Sequence, residues 1–101
     1  MSRSNMRKVK IEEFGKANGT HYQGSVMTSL SNLKRLFGDP SYHYQDIASK
    51  TRNEYILESD EGVIATVYDF KEYRAYDDNE IIEFHIGGRS KFAVALIRDI
   101  L

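Results

Sequence analysis

The stretch from Asn53 to Phe70 limits the possible folds more than any other part of the chain. Tyr55 and Leu57 alternate with Glu54 and Glu58, which is the period of a strand with one buried face. Ser59-Asp60-Glu61-Gly62 carries turn chemistry. Val63-Ile64-Ala65-Thr66-Val67-Tyr68 then returns with β-branched residues, apolar on both faces. A strand of that kind belongs inside a sheet, with cover above and below. The pattern predicts a hairpin of residues 53–58 with 63–70, its second arm a central strand.

The other elements follow from that hairpin. Residues 6–14 read as a first strand, because Val9 and Ile11 alternate with Lys8, Lys10 and Glu12. Asn18-Gly19 reads as the hairpin turn into a return strand, 20–27, with Tyr22, Gly24 and Val26 on one face. Ser29 or Thr28 caps a helix that buries Leu30, Leu33, Leu36 and Phe37. Gly38 ends this helix and Pro40 stops its continuation. Residues 39–52 read as a loop bearing Tyr42, His43 and Tyr44, with a helical turn around 44–50. A polar loop over 71–79 leads to a strand over 80–86, with Ile82, Phe84 and Ile86 inward and Glu83 and His85 outward. Ser90 is the expected N-cap of a last helix that buries Ala93, Leu96, Ile97 and Ile100. The order ββαβββα predicts an α+β fold, with an antiparallel sheet of four to five strands and two helices on one face. One domain spans residues 1–101, with 1–5 expected to be disordered.

Composition removes several classes of function. Fourteen basic and fifteen acidic residues leave a net charge of −1, which disfavours a duplex nucleic-acid partner, since that partner demands a basic face. With no cysteine there is no disulfide or thiolate chemistry. His21, His43 and His85 fall in separate elements without zinc spacing, so no metal or other cofactor is expected. No run of residues reaches membrane-spanning length, and no membrane partner is expected.

Three segments carry candidate chemistry. In His85-Ile86-Gly87-Gly88-Arg89-Ser90 a strand passes through two glycines into a helix start. Gly87 and Gly88 let the backbone approach an anion, Arg89 offers a fork of donors, and Ser90 adds a hydroxyl. The structural alternative is that the glycines turn the chain and Ser90 caps the helix. In Tyr68-Asp69-Phe70-Lys71, Tyr68 and Phe70 share a face on which a nucleobase would stack, with Lys71 beside them for phosphate. The alternative is core packing of both rings. Tyr42, on the Tyr42-His43-Tyr44 loop, closes over a planar ligand or packs on the sheet. Glu83 and His85 share a strand face and form a conceivable acid/base pair, but no nucleophile is near in sequence. A simple meander sets Tyr68 near the start of the last strand and Gly87 at its far end. The glycine and aromatic segments would then meet only through a second subunit, so a homo-oligomer is expected.

Gly62-Val63-Ile64-Ala65-Thr66-Val67-Tyr68-Asp69-Phe70-Lys71, followed by Glu83-Phe84-His85-Ile86-Gly87-Gly88, resembles a group of small accessory proteins encoded by tailed bacteriophages. In that group a strand ending in Tyr-Asp-aromatic-Lys precedes an aromatic-His-Ile/Val-Gly-Gly segment and a C-terminal helix. Leu36-Phe37-Gly38-Asp39-Pro40 extends the likeness upstream. The resemblance covers roughly the last two-thirds of the chain. It implies a counter-defence protein in the host bacterial cytoplasm that is not an enzyme. Such a protein would bind and sequester a nucleotide immune signal, a cyclic oligonucleotide or an ADP-ribose type. The alternatives it implies are a protein–protein inhibitor of a host immune complex such as a CRISPR effector, or a nuclease that degrades a cyclic nucleotide signal.

Overall fold

The computed structural model describes residues 6–43, 53–69 and 76–101. In chain order these form β1 (Met6–Lys8), a 3-10 helix (Ile11–Ala17), β2 (His21–Ser29), α1 (Leu30–Phe37), β3 (Tyr42–His43), β4 (Asn53–Ser59), β5 (Ile64–Tyr68), β6 (Ile81–Gly88) and α2 (Phe92–Ile100). The fold is α+β, with an antiparallel sheet of six strands among the described residues. The sheet runs β1-β4-β5-β6-β2, and β3 lies beside β4 on the same edge as β1.

The hairpin is present, pairing from Glu54↔Tyr68 to Glu58↔Ile64. The Ser59 N–H donates to the Val63 carbonyl at 2.9 Å, and the Val63 N–H donates to Ser59 Oγ at 3.0 Å. Gly62 takes φ 86°, a conformation that disfavours any side chain. Tyr55, Leu57, Ala65, Val67, Ile82, Phe84 and Ile86 turn to one face of the sheet, where Leu30 and Leu33 of α1 and Ala93 and Ile97 of α2 cover them. Each such large apolar side chain stabilises the fold by about 1.5–3 kcal/mol.

Both helices are fixed locally. Ser29 Oγ accepts from the Asn32 N–H at 3.1 Å, as its N-cap position requires, and Gly38 ends α1 with φ 84°. The buried Tyr55 ring sends its hydroxyl to the Gly38 carbonyl at 2.7 Å, which ties the helix end to β4. At the other helix, a Cβ on Gly88 would stand 2.6 Å from Ala93 Cβ, and one on Gly24 would stand 3.1 Å from Val94 Cγ2. The absence of side chains at Gly24 and Gly88 lets α2 settle onto the sheet. Ser90 Oγ accepts from the Phe92 N–H at 3.3 Å, and the residue preceding the first helical turn is Lys91, one later than the sequence suggested.

Several expectations are corrected. Residues 6–14 are not one strand: β1 stops at Lys8. Val9 is buried and donates its N–H to the Ile56 carbonyl at 3.1 Å, while Ile11 opens the 3-10 helix at 79% exposure. Lys16 stabilises that helix by pairing with Glu13 at 2.9 Å and with Glu58 of β4 at 3.0 Å. Asn18-Gly19 does turn the chain, but as a type II turn (φ −61°, ψ 135° at Asn18; φ 84° at Gly19), with the Thr20 N–H donating to the Ala17 carbonyl at 3.2 Å. It joins no hairpin, since β1 pairs with β4 and β2 with β6.

The second correction concerns β2. Its register with β6 shifts between Tyr22 and Gly24, so Tyr22 lies opposite Gly87 and Gly24 opposite Ile86. This bulge at Gln23 places Tyr22 and Gly24 on opposite faces rather than on one. The third is the register of β5 with β6. Tyr68 pairs with His85 and Thr66 with Gly87, so Tyr68 and Gly87 lie side by side, not at opposite ends. The first half of β6 runs beyond the end of β5 and pairs with β2 alone. Tyr42 and His43, read as loop, form β3. The helical turn expected around 44–50 lies outside the described residues.

Asp69 closes the lower end of β5. Its side chain is 1% exposed, and its Oδ1 accepts from the Asn53 N–H at 3.0 Å. Oδ2 accepts from Asn53 Nδ2 at 3.2 Å and from the Tyr76 hydroxyl. His43 Nδ1 meets Asn53 Oδ1 at 2.7 Å, which brings β3 into the same network.

Candidate functional site

The face of the sheet opposite the helices carries the candidate site. Residues paired across a sheet point to the same face. Registers Tyr42↔Glu54, Glu54↔Tyr68, Tyr68↔His85 and His85↔Ser25 therefore draw one row of side chains across five strands. Three residues expected from sequence to bind ligand, Tyr42, Tyr68 and His85, stand in that row. At about 4.8 Å between strands, the row spans about 19 Å. The next row holds Ile56, Thr66, Gly87 and Tyr22.

Aromatic rings dominate this face. The His85 ring lies between Tyr22, at 4.7 Å between centroids, and Tyr68, at 5.7 Å. Tyr42, at the far end of the row, packs on Phe14 of the 3-10 helix at 4.8 Å. Beside Tyr22 and Tyr68 a cleft of about 260 Å³ is lined by these two rings and by Thr20, His21, Glu54, Thr66 and Gly87. Gly87 forms part of its floor: a Cβ there would lie 3.6 Å from Tyr68 Cε1 and would collide with Thr66 Oγ1. The cleft is smaller than the roughly 300–1,000 Å³ of pockets for drug-sized ligands.

Two acids of the cleft are tuned by their surroundings. Burial, and secondarily the charge of Asp69, pushes the Glu54 carboxyl above its ordinary range. Burial, then the neighbouring Glu54 and Tyr22, pushes the Tyr68 hydroxyl up as well, so it stays an O–H donor at neutral pH. A carboxyl whose folded pKa exceeds its unfolded value, about 4.3 for Glu, favours the fold when protonated. That contribution is full below the unfolded pKa and is lost as pH rises through the folded one. Glu54→Gln is therefore expected to leave stability at low pH unchanged and to raise it at neutral pH. Urea titrations of both proteins from pH 4 to pH 8 would check this, and parallel pH profiles would refute it.

The remaining expected residues divide. Arg89 Nη2 donates to the Lys16 carbonyl at 2.8 Å and to the Asn18 carbonyl at 3.1 Å, clasping the 3-10 helix and its turn against the end of β6. Nε and Nη1 lie outside those two bonds. Ser90 is used by the start of α2, and Gly88 faces Ala93 on the helix side. Of the glycine segment, only Gly87 opens onto the cleft. Phe70 and Lys71 lie outside the described residues.

Glu83 and His85 come together, with 3.7 Å between Oε1 and Nε2. Ser25 Oγ donates to the other Glu83 oxygen at 3.0 Å. The carboxylate thus stands between hydroxyl and imidazole, whereas a nucleophilic triad needs the imidazole in the middle. Among the described residues no group of three or more His, Cys, Asp or Glu is arranged to hold a metal, and no helix is long and apolar enough to cross a membrane.

Glu54, Tyr22, Thr66, Thr20 and His21 belong to the cleft and were not singled out from sequence. Glu54 was visible as an outward residue of the hairpin, but only the register sets it between Tyr42 and Tyr68. Comparison with known proteins gives no match among family models, curated proteins or solved structures.

Proposed function

We propose that this chain is a binding protein that takes up a nucleotide on the open face of its sheet and holds it without chemical change. The observation that carries the proposal is the ring cluster Tyr22, His85 and Tyr68 beside a cleft with a glycine in its floor and a carboxyl in its wall. A nucleobase stacked on a protein aromatic gains about 1–3 kcal/mol. Glu54 would accept from ring or exocyclic N–H groups of the base, and the Tyr68, Thr20 and Thr66 hydroxyls supply donors. His21 and the outer donors of Arg89 would meet phosphate at the lip. Lys71 and Phe70 keep their proposed roles as cation and stacking ring.

The likeness to tailed-phage accessory proteins gives this binding a purpose: sequestering a cyclic oligonucleotide or ADP-ribose-type immune signal in the host bacterial cytoplasm. A shallow cleft covers one base of such a ligand. In this reading a homo-oligomer completes the cover, with the second copy enclosing the rest.

Thermal unfolding with a panel of cyclic di- and trinucleotides and ADP-ribose derivatives tests the reading. A ligand that binds only the folded chain raises Tm with concentration. One class is expected to do so and to be recovered intact, and Tyr68→Ala is expected to weaken it about tenfold or more. A panel without effect, or binding indifferent to Tyr68→Ala, would overturn the proposal. Ligand turnover beyond one equivalent would instead make the chain an enzyme.

A further inference from the structure

The strand β2 ends the sheet, nine residues long, with no further strand beside it among the described residues. Long open edges are normally blunted, because their free N–H and C=O groups recruit other strands. Two devices blunt this one. The bulge at Gln23 breaks its upper end, and Arg98 of α2 donates to the Ser25 carbonyl at 2.8 Å. Alternate residues of a strand present their backbone groups to the same side, so Met27 offers its N–H and C=O where Ser25 does. Among the described residues no comparable plug covers Met27, which is 63% exposed.

The flanks of this edge differ in kind. A groove of about 790 Å³ runs along this edge between α1 and α2, lined by Ser29, Ser31, Asn32, Arg35 and Arg98 and also by Met27 and Ile81. A second, lined by Gln23, Val94, Lys91 and again Arg98, continues it along α2. Neither has an Asp or Glu side chain in its lining. Among the described residues no carboxylate pairs with Arg35, Arg98 or Lys91. Met27 and Ile81 alternate with the core-facing Val26, Ile82 and Phe84, so they form the apolar rim of this groove towards the other face of the sheet, 63% and 59% exposed.

We infer that the β2 edge is a second binding site, which takes an extended acidic peptide as an added antiparallel or parallel strand. Side chains of an extended chain alternate between two sides. One set lies over Met27 and Ile81 and is apolar. The other faces Arg35 and Arg98 and is acidic. The straight part of β2 below the bulge accommodates about six peptide residues, close to 20 Å of strand. Backbone hydrogen bonds at Met27 supply affinity, and the alternating flanks supply selectivity, as in other cases of strand addition. The site is separate from the cleft, which opens on the face of the sheet and not at its edge.

The test uses fluorescence anisotropy with three labelled, end-blocked hexapeptides: Glu-Val-Glu-Val-Glu-Val, Lys-Val-Lys-Val-Lys-Val and the block sequence Val-Val-Val-Glu-Glu-Glu. The first is expected to bind at least tenfold more tightly than the other two and to weaken as salt rises. Arg35→Glu is expected to weaken it about tenfold. This side chain is exposed and donates to Asn32 Oδ1 of its own helix, so the fold is expected to survive. Met27→Pro removes the edge N–H and is expected to abolish binding, with Tm confirming that the variant is folded. If that variant does not fold, protection of the Met27 amide from hydrogen exchange on addition of the first peptide serves in its place. Equal binding of the acidic and basic peptides, no preference for alternation, or indifference to Arg35→Glu would overturn the inference. So would a self-associated protein, seen by sedimentation, whose Met27 amide is already protected, since the edge would then belong to a second copy.

Discussion

Replacing Asp69 with alanine is expected to destabilise the protein by about 4 kcal/mol, the largest effect of any single polar substitution in the described structure. The carboxylate is buried and satisfies three donors: the Asn53 N–H, Asn53 Nδ2 and the Tyr76 hydroxyl. Alanine fills no part of that role. A buried donor left without a partner costs about 1–3 kcal/mol, and the donors that lose Asp69 lie on β4 and on the segment entering β6; of these, Asn53 Nδ2 keeps the Tyr76 hydroxyl as an acceptor at 2.9 Å. Urea unfolding would measure the effect as a fall in the midpoint of about 2 M at an unchanged slope near 2 kcal/mol/M. Asp69→Asn keeps one acceptor oxygen but turns an amide towards other donors, and is expected to fall between the two. It would also remove the charge that helps raise Glu54, so the Glu54 carboxyl would titrate lower in that variant. A cost below about 1 kcal/mol for Asp69→Ala would mean that water enters and satisfies the donors.

Gly88→Ala is expected to cost about 2–3 kcal/mol, through overpacking in a site where neither partner can yield. The added methyl would stand 2.6 Å from Ala93 Cβ, between a central strand and a helix that shares the core with Ile86 and Phe84. Ala93→Gly removes the opposing atom, so the double variant is expected to regain part of the loss, and a double-mutant cycle would report strong coupling between the two sites. The cycle also decides what the glycine pair is for. If Gly88→Ala left stability intact but abolished nucleotide binding, then Gly88 would serve the ligand as the sequence motif first suggested. Loss of stability with coupling to Ala93 assigns Gly88 to packing and leaves Gly87 as the glycine of the cleft.

What could be read from sequence was whatever local pattern decides. The hairpin of β4 and β5 was legible because alternation, turn residues and β-branching agree over one continuous stretch. The inward set Ile82, Phe84 and Ile86 and the Ser29 cap were legible for the same reason. Failures came where the deciding partner is remote. Val9 and Ile11 alternate like a strand, but pairing with β4 ends at the Val9 N–H on the Ile56 carbonyl, and the salt bridge from Lys16 to Glu58 favours a helical turn. Asn-Gly fits both a hairpin turn and a type II turn, so the pair cannot choose its strand partners. The bulge at Gln23 reverses the facing of Tyr22, a change invisible to any count of alternation. The site was partly legible: Tyr68 and Gly87 of the cleft were named, with Tyr42 and His85 on the same face, but the register that sets Tyr68 and Gly87 beside Glu54 and Tyr22 depends on where β6 begins to pair.

That register has a kinetic consequence. The bonds that dock β2 on β6 join residues 58 and 65 positions apart, as in Ser25 with Glu83 and Gln23 with Gly88, whereas β4 and β5 meet across a tight turn. Closing so long a loop is entropically expensive, and pairings of that kind form late and slowly. Tyr22 rides on the late strand, while Tyr68 and Glu54 ride on the early hairpin. A chain stalled before β2 docks would possess most of the core yet lack one wall of the cleft and the whole of the edge. Ligand uptake at either place would then report completion of the fold, not its beginning.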